Sequence, residues 1–349
     1  MTSPERMPSR VFVTRRIPEP GLTLLRDAGV SVAVAQSNEE AGVPRDDLLR
    51  GVRDADVLLT LLTESIDREA LAANPRLLGV ASMAVGYDNV DVGAATELGL
   101  PVSNTPGVLT ETTADLAFTL LLAVARHVPQ AHRYLVEGRY QIWGPNLFLG
   151  ADVGPGPDGR RKVLGIIGYG RIGRAMARRA SGFDMEVIAH HPRPWSTPSN
   201  VEPAAQWAAL DELLARSDFV SLHVPLGPAT HHLIGAAELE RMKPTAYLIN
   251  TARGPVVDEA ALVQALRART IAGAALDVFE AEPALAPGLA ELDNAVLLPH
   301  IASASVDTRG AMARMAAENA LCHLRGAPAP NAVNPEVYGT AAYRARRGA

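Results

Sequence analysis

The sequence predicts an α/β fold made of two doubly wound parallel sheets with a cleft between them. Three observations support this prediction. Short apolar runs alternate with helix-like segments over residues 1–104, and a second alternating series begins at residue 162, which is typical of parallel strands joined by crossover helices. At 349 residues the chain is longer than one ordinary hydrophobic core supports. A glycine-rich turn follows the first strand of the second series.

The first series predicts five strands, each an apolar run of a few residues. They are Val11–Thr14, Val32–Val34, Val57–Leu62, Leu78–Ser82 and Val102–Ser103. Helices are predicted at 21–28, 45–53, 67–73 and 92–98. The next segment, Thr110–Arg126, is apolar over most of its surface, which is typical of a helix buried between domains or subunits.

The second series predicts six strands, the number found in a dinucleotide-binding sheet. The strands are expected at 163–167, 185–190, 219–223, 246–250, 272–276 and 295–298. Helices are expected near 171–181, 208–216 and 258–268. A long closing helix, Val306–Arg325, follows, and its position suggests that it packs back on the first domain.

The glycine turn Gly168-x-Gly170-x-x-Gly173 lies between a predicted strand and a predicted helix. In such a turn the first glycine allows the chain to reverse sharply, and the second lets the backbone touch a pyrophosphate. The third lets helix and strand pack closely, and the phosphates lie at the positive end of the helix dipole. The turn therefore predicts a dinucleotide site.

Three further loops follow predicted strands and carry side chains suited to chemistry on a carbonyl acid. Arg253 offers a planar guanidinium that can bind a carboxylate through two parallel hydrogen bonds. His300 is a natural proton donor near neutral pH, and Glu282 can orient its ring. Taken singly, these residues could be a surface ion pair, a core histidine and a solvated acid. Together, at strand ends of one sheet, they predict a catalytic trio.

Composition excludes several other classes of function. The net charge of -5 argues against a nucleic-acid or anionic-membrane partner, and no apolar stretch is long enough to span a bilayer. One cysteine, Cys322, excludes an intrachain disulfide and a clustered cysteine metal site. The adjacent pairs His190-His191 and His231-His232 suit loops, and no carboxylate pattern completes either, so no metal is predicted. We expect a cytoplasmic protein.

The choice between NADP(H) and NAD(H) is predicted from the absence of an acidic residue at the end of the second strand of this series. An NAD site places an acid about 20 residues after the glycine turn, at the end of the second strand. Here Glu186 lies at the start of that strand, which ends in His190-His191 and is followed by Arg193. Arg193 can pair with a 2′-phosphate, so NADP(H) is predicted to be preferred and NAD(H) to be possible. A solvent-facing basic loop with no cofactor role is the alternative.

Five stretches, in this order, make the sequence resemble the D-isomer-specific 2-hydroxyacid dehydrogenases, most closely their glyoxylate/hydroxypyruvate reductase branch. They are Ala84–Asp91, Asn104–Phe118, Asn250–Gly254, Leu276–Pro283 and Pro299-His300. The resemblance covers about residues 10–337. It implies a flavodoxin-like substrate domain, 1–104 with 302–337, a Rossmann cofactor domain, 105–301, and a tail, 338–349. It also implies a homodimer joined through the cofactor domains.

The resemblance implies a role for each site residue. Arg253 would hold a small 2-oxo acid, and His300, supported by Glu282, would protonate its carbonyl oxygen as hydride arrives from the nicotinamide. The amides of Val85 and Gly86 would bind the substrate carboxylate. The implied cofactor contacts are Gly168, Tyr169, Gly170, Arg171, Ile172, Gly173, His191, Pro192, Arg193, Thr251, Ala252, Arg253 and, on the carboxamide, Asp277.

Three features depart from the family pattern: Ala302, Asn146-Leu147 where the branch usually has a tryptophan, and the longer loop Gly154–Gly159. Two other functions stay open. Ala302 stands where the loop after the histidine usually has glycine, which predicts a slightly re-routed backbone. Phosphoglycerate dehydrogenase shares the trio, although the chain ends soon after the closing helix. A nucleotide-sensing corepressor on this fold is the alternative outside enzymes, but no stretch suggests a docking region.

Overall fold

The computed structural model describes residues 9–192 and 205–348, which form two compact units. The described residues up to Leu109 and from Ser305 onward make the first unit, and Thr110–Ala304 make the second. The sequence placed the boundaries after residues 104 and 301. The first boundary lies later because the N–H groups of Asn104 and Thr105 still donate to carbonyls of the first unit.

The strands and helices follow one another along the chain in the alternation that the sequence predicts. The strands are β1 (Arg10–Arg15), β2 (Ser31–Gln36), β3 (Val57–Thr60), β4 (Val80–Ser82), β5 (Val102–Ser103), β6 (Val163–Ile167), β7 (Glu186–His190), β8 (Gln206–Trp207), β9 (Phe219–Leu222), β10 (Tyr247–Asn250), β11 (Gly273–Leu276) and β12 (Ala295–Leu297). The helices are α1 (Glu19–Asp27), α2 (Arg45–Arg53), α3 (Arg68–Ala72), α4 (Val92–Glu97), α5 (Thr110–Ala125), α6 (Val128–Val136), α7 (Arg171–Ser181), α8 (Leu210–Arg216), α9 (Ala236–Arg241), α10 (Glu259–Arg267), α11 (Val306–Arg325) and α12 (Ala341–Arg346).

The first unit is a parallel sheet with strand order β2-β1-β3-β4-β5, the flavodoxin-like order that the resemblance implied. Helix α11 packs against α1, β3 and β4. A Cβ on Gly21 would lie 2.5 Å from the carbonyl oxygen of Ala313, so glycine allows α1 to approach α11 this closely. The segment that the sequence set apart as a tail contains α12, whose Arg346 donates to the carbonyls of Leu98 and Leu77.

The second unit is a parallel sheet of order β12-β11-β10-β9-β6-β7-β8. Counted from β6, the order is that of a dinucleotide-binding sheet, 3-2-1-4-5-6, with one more strand added at the edge. The prediction of six strands was wrong by one, because β8 has only 2 residues and shows no apolar alternation. Helix α5 packs on α7, β10 and β11, so its apolar surface is used largely within this unit.

Helices α6, α9 and α12 were not predicted. Proline in the first turn of α6, Pro129, breaks the sequence pattern, yet proline is tolerated there because the first N–H groups of a helix have no partner within it. Among the described residues, no helix combines the length and the apolar character needed to cross a membrane.

Candidate active site

The carboxyl ends of six strands in the second unit lie in one row. Backbone pairing joins the last residue of each strand to the last residue of its neighbour. These residues are His190, Ile167, Leu222, Asn250, Leu276 and Leu297. The loops that follow them therefore leave the sheet at one edge, where open α/β sheets bind their ligands. The glycine turn and all three members of the predicted trio lie on these loops.

The glycine turn fits a dinucleotide. Gly168 has φ +96°, a left-handed conformation that favours glycine, and a Cβ there would lie 2.5 Å from the carbonyl oxygen of His223. A Cβ on Gly173 would lie 2.2 Å from the carbonyl oxygen of Gly168, so helix and turn touch. Gly170 is exposed, and nothing lies within 4 Å of a Cβ placed on it. The backbone at the start of α7 is thus open to an approaching phosphate.

The other predicted contacts at this turn differ in exposure. The ring of Tyr169 is buried in the core of the second unit, and burial raises the pKa of its hydroxyl. Arg171 is exposed and Ile172 half-buried at the first turn of α7. Tyr169 can therefore offer a ligand its backbone, whereas Arg171 can offer its side chain.

The end of β7 carries no acid. Glu186 lies at the start of the strand, where it binds Arg216 at 2.8 Å. His190 Nδ1 lies 3.1 Å from the carbonyl oxygen of Ala208, and the indole N–H of Trp207 donates to the carbonyl of His191. Pro192 follows, and Arg193 lies outside the described residues.

Arg253 lies on a tightly bonded turn after β10. The side chain of Asn250 accepts a hydrogen bond from the N–H of Ala252 and donates one to the carbonyl of Arg253. Thr251 is buried, and Arg253 is half-buried. A Cβ on Gly254 would lie 1.9 Å from the backbone of Phe279, so this turn packs backbone to backbone against the loop that carries Glu282.

Asp277 holds the histidine loop in place. Its carboxylate accepts hydrogen bonds from the N–H groups of Ile301 (2.8 Å) and Ala302 (2.7 Å), and its carbonyl accepts one from the N–H of His300. The side chain is 0% exposed, and burial raises the pKa of Asp277 although the two N–H groups oppose that shift. The resemblance implied a carboxamide contact for Asp277, and the structure adds a role in positioning the loop.

His300 and Glu282 form a pair. Nδ1 of His300 lies 3.0 Å from Oε2 of Glu282, whose other oxygen accepts a hydrogen bond from the N–H of Phe279. Because a carboxylate accepts hydrogen bonds, Nδ1 is the donor, which leaves Nε2 for a reacting oxygen. Burial opposes ionisation of Glu282, but the bond and charge of His300, with Phe279 and Arg253, outweigh it and lower the pKa of that carboxyl.

The backbone of His300 is unusual for a histidine. Its φ of +54° lies in the left-handed region, which costs free energy in a residue other than glycine and occurs preferentially at functional sites. Ala302 is not among the described left-handed residues, so alanine serves at this position without backbone strain.

In the first unit, hydrogen bonds to two carbonyl groups fix the peptide groups that contain the N–H of Val85 and the N–H of Gly86. Thr105 N–H donates to the carbonyl of Ala84 (2.8 Å), and the side-chain amide of Asn104 donates to the carbonyl of Val85 (2.7 Å). Carbonyl and N–H point in opposite directions in a trans peptide. The N–H groups of Val85 and Gly86 therefore point away from residues 104–105, and neither has an acceptor in the described chain.

Sequence reasoning missed two features. Asn104 opens one of the five recognised stretches, but an asparagine gives little signal of which carbonyl it binds. The sequence also showed no carboxylate that completes the pair His231-His232, whereas the fold brings Glu280 to it. The possible ligand atoms of these three residues lie within 4.8 Å of one another.

Comparisons with known proteins agree with this geometry. A family model described as D-isomer specific 2-hydroxyacid dehydrogenase, NAD binding domain, matches residues 118–302. The glyoxylate reductase of Korarchaeum cryptofilum is 49% identical over 334 residues, which cover 95% of this chain and 97% of that protein. The glyoxylate reductase of Pyrococcus horikoshii is 47% identical over 335 residues, with the same coverage of 95% and 97%.

A solved structure supports the same relationship. The NADPH-dependent glyoxylate/hydroxypyruvate reductase of Sinorhizobium meliloti, in complex with NADP and malonate, matches with a TM-score of 0.77 and 34% identity. The match covers 94% of this chain and 97% of that one. The strand orders, the glycine turn and these matches converge: the chain belongs to the D-isomer-specific 2-hydroxyacid dehydrogenases and is an NAD(P)-dependent enzyme.

Proposed function

We propose that this enzyme reduces a small 2-oxo acid of the glyoxylate or hydroxypyruvate type to the D-2-hydroxy acid, with NADPH as the preferred cofactor. The observation that carries the proposal is the pair formed by His300 and Glu282, on the sheet edge that also carries Arg253 and the glycine turn. Relatives named glyoxylate reductase, 49% and 47% identical, support the substrate class.

The site residues divide the reaction between them. Arg253 binds the oxo acid with its guanidinium, and the amides of Val85 and Gly86 bind the substrate carboxylate. Nicotinamide supplies hydride chemistry when it is bound. His300 donates the proton on Nε2 to the carbonyl oxygen, and Glu282 keeps the ring oriented and stabilises its charged form.

Several residues would hold the cofactor. The open backbone at Gly170 and the first turn of α7 suit the pyrophosphate. The loop after β10 would contact the nicotinamide half through Thr251 and Ala252, and Asp277 would contact the carboxamide. An acid that would bind a ribose 2′-hydroxyl is missing from the described end of β7.

The preference for NADPH rests on that missing acid and on Arg193. Arg193→Ala should reduce kcat/KM for NADPH and leave NADH nearly unchanged, because only NADPH offers a 2′-phosphate to a guanidinium. His191→Asp should move the preference towards NADH. Equal losses with both cofactors on removing Arg193 would contradict this assignment.

The enzyme works as a homodimer joined through its second unit. Apolar side chains in and after α6 are largely exposed: Ile142 (82%), Trp143 (71%), Leu149 (68%), Val136 (66%) and Leu135 (58%). An exposed apolar cluster of this kind is typical of an association surface. Light scattering after size exclusion should give twice the chain mass, and Ile142→Glu should yield monomer; a monomeric wild type would contradict the dimer.

We place the protein in the cytoplasm. Cys322 is free, and it is the one cysteine in the sequence, so the chain cannot form the intrachain disulfides that are typical of proteins in oxidising compartments.

A substrate panel tests the proposed function. NADPH and NADH oxidation would be followed with glyoxylate, hydroxypyruvate, pyruvate and 3-phosphohydroxypyruvate. We expect the highest kcat/KM with glyoxylate or hydroxypyruvate. Dominant turnover of 3-phosphohydroxypyruvate would identify a phosphoglycerate dehydrogenase instead, and cofactor binding without turnover of any acid would favour a nucleotide-sensing protein.

A further inference from the structure

Two adjacent histidines on the turn before α9 present their rings to the same side. In an extended chain neighbouring side chains point to opposite sides, but His232 is left-handed, with φ +50°. The ring centroids of His231 and His232 lie 4.1 Å apart, at 30° to one another. A hydrogen bond from the N–H of His232 to the carbonyl of Pro255 (2.8 Å) holds this conformation.

A carboxylate from another loop completes this group. Oε1 of Glu280 lies 2.6 Å from Nε2 of His232, and Oε2 accepts a hydrogen bond from the N–H of Glu259. The backbone of Glu280 is fixed as well, because its N–H donates to the Glu259 carboxylate. Two imidazoles and one carboxylate thus face one another across two loops.

We propose that His231, His232 and Glu280 bind a divalent transition-metal ion such as Zn²⁺. Their possible ligand atoms lie within 4.8 Å of one another, a span that two ligands of one ion can bridge at about 2.0–2.2 Å each with small side-chain rotations. Imidazole and carboxylate are ordinary zinc ligands, and three of them leave a coordination position for water. The His232 and Glu280 side chains are 37% and 33% exposed, so the ion can enter from solvent.

A bound ion would fasten the turn at 231–232 to the loop that carries Glu282. Those segments are now joined by one side-chain bond, between His232 and Glu280. Since metal binding that favours the folded state raises its stability, occupancy should raise the melting temperature.

Titration of tag-free protein with ZnCl₂ by calorimetry tests the site. We expect one Zn²⁺ per chain, and a Kd weakened at least about ten-fold by His231→Ala and by Glu280→Gln, since each removes one of three ligands. His132→Ala, which removes an exposed histidine elsewhere in the second unit, is the matched control and should bind like wild type. Circular dichroism would verify folding. Absent saturable binding, or binding unchanged in both ligand variants, would overturn the proposal.

A different observation points to a positioning residue in the first unit. Asn104 donates from its side chain to the carbonyl of Val85, and it is itself held by two partners. The backbone N–H of Asn104 donates to the carbonyl of Asn331 (3.1 Å), and its backbone carbonyl accepts a hydrogen bond from the side-chain amide of Asn319 (3.0 Å). Asn104 is 8% exposed and Asn319 is 1% exposed, so this arrangement is fixed in the interior.

We infer that Asn104 sets the direction in which the Gly86 N–H points, and through it the affinity for the substrate carboxylate. This inference rests on the proposed function, which assigns that carboxylate to the amides of Val85 and Gly86. Without the Asn104 amide the Val85 carbonyl loses its donor, and the peptide that it shares with Gly86 is free to rotate.

Asn104→Leu removes the donor without adding charge, and Asn74→Leu is the matched control. Asn74 is another buried asparagine of the first unit, 3% exposed, which donates to the carbonyl of Ala55 at 2.7 Å. We expect Asn104→Leu to raise KM for glyoxylate at least about ten-fold, with KM for NADPH within about two-fold of wild type. Asn74→Leu should lower the melting temperature and leave both KM values unchanged.

The two kinds of failure are distinguishable. If wild-type protein reduces glyoxylate and Asn104→Leu raises KM no more than Asn74→Leu, Asn104 is purely structural and the inference is wrong. If wild-type protein reduces no 2-oxo acid, the proposed function itself fails.

Discussion

The two units place different chemistry at the carboxyl ends of their parallel strands. The first unit offers backbone N–H groups, at Val85 and Gly86, whose direction is fixed by buried bonds to the carbonyl side of each peptide. The second unit offers titratable side chains, the His300–Glu282 pair, beside a guanidinium. Backbone amides do not change charge with pH, so the first edge is suited to binding and the second to proton transfer.

The largest effect should come from removing the proposed proton donor. His300→Gln should lower kcat for oxo-acid reduction by about 10² to 10⁴, the usual contribution of a positioned general acid, with little change in KM. Steady-state kinetics with glyoxylate would measure both constants.

His127→Gln is the control for this experiment. His127 is also a left-handed histidine of the second unit, with φ +51°, and lies outside the site described above. Its variant should retain turnover. Near-normal turnover of folded His300→Gln would remove His300 from the mechanism.

A buried histidine in the first unit should make the stability of the protein, rather than its turnover, depend on pH. His323 is 0% exposed, its Nε2 lies 3.0 Å from Oγ of Ser103, and burial lowers its pKa to about 4. In the unfolded chain the imidazole takes up a proton near pH 6.5, whereas in the folded chain it does so only near pH 4. The contribution of His323 to the free energy of unfolding is therefore complete above pH 6.5 and is lost as pH falls towards 4.

Urea unfolding measures that loss. Between pH 6.5 and pH 5 the free energy of unfolding should fall by up to about 2 kcal/mol through His323 alone. His323→Leu removes the titrating group, so the fall should be smaller in this variant. An equal fall in both proteins would show that His323 is not responsible.

Replacing the guanidinium of Arg253 by an ammonium should have a smaller effect on catalysis than removing His300. Arg253→Lys should lower kcat/KM for the oxo acid at least about ten-fold, because an ammonium cannot make two parallel hydrogen bonds to a planar carboxylate. Arg269→Lys, at a surface ion pair with Asp293, should have no effect on kcat/KM. If Lys at position 253 supports wild-type kcat/KM, Arg253 has only a structural role.

The same contrast explains how much could be predicted from the sequence. The candidate catalytic edge could be proposed from the sequence because the chemistry of glycine, arginine, glutamate and histidine at strand ends is given by the residue type. The alternation predicted the parallel strands of both sheets, apart from β8, whose 2 residues give no periodic signal, and the family resemblance implied their order.

The rest depends on tertiary contacts between residues distant in sequence. Asn104 and Val85 meet because β5 pairs with β4, and Glu280 reaches His232 across 48 residues of sequence. Every residue has a backbone carbonyl, so the residue type at a position does not show whether that carbonyl accepts a hydrogen bond from a side chain. Sequence reasoning therefore proposed the side chains of the candidate site, and the structure was needed to find what holds them in place.

The most direct test of the account is the pH profile of kcat/KM for glyoxylate reduction in wild type and Glu282→Gln. Because the pKa of Glu282 is held below its usual value, this carboxylate stays charged across the neutral range and can stabilise a protonated imidazole beside it. The rate should fall as rising pH removes the proton that the reduction needs. Removing the negative charge beside the imidazole should move that fall to lower pH. An unmoved profile would contradict the claim that Glu282 supports a protonated His300.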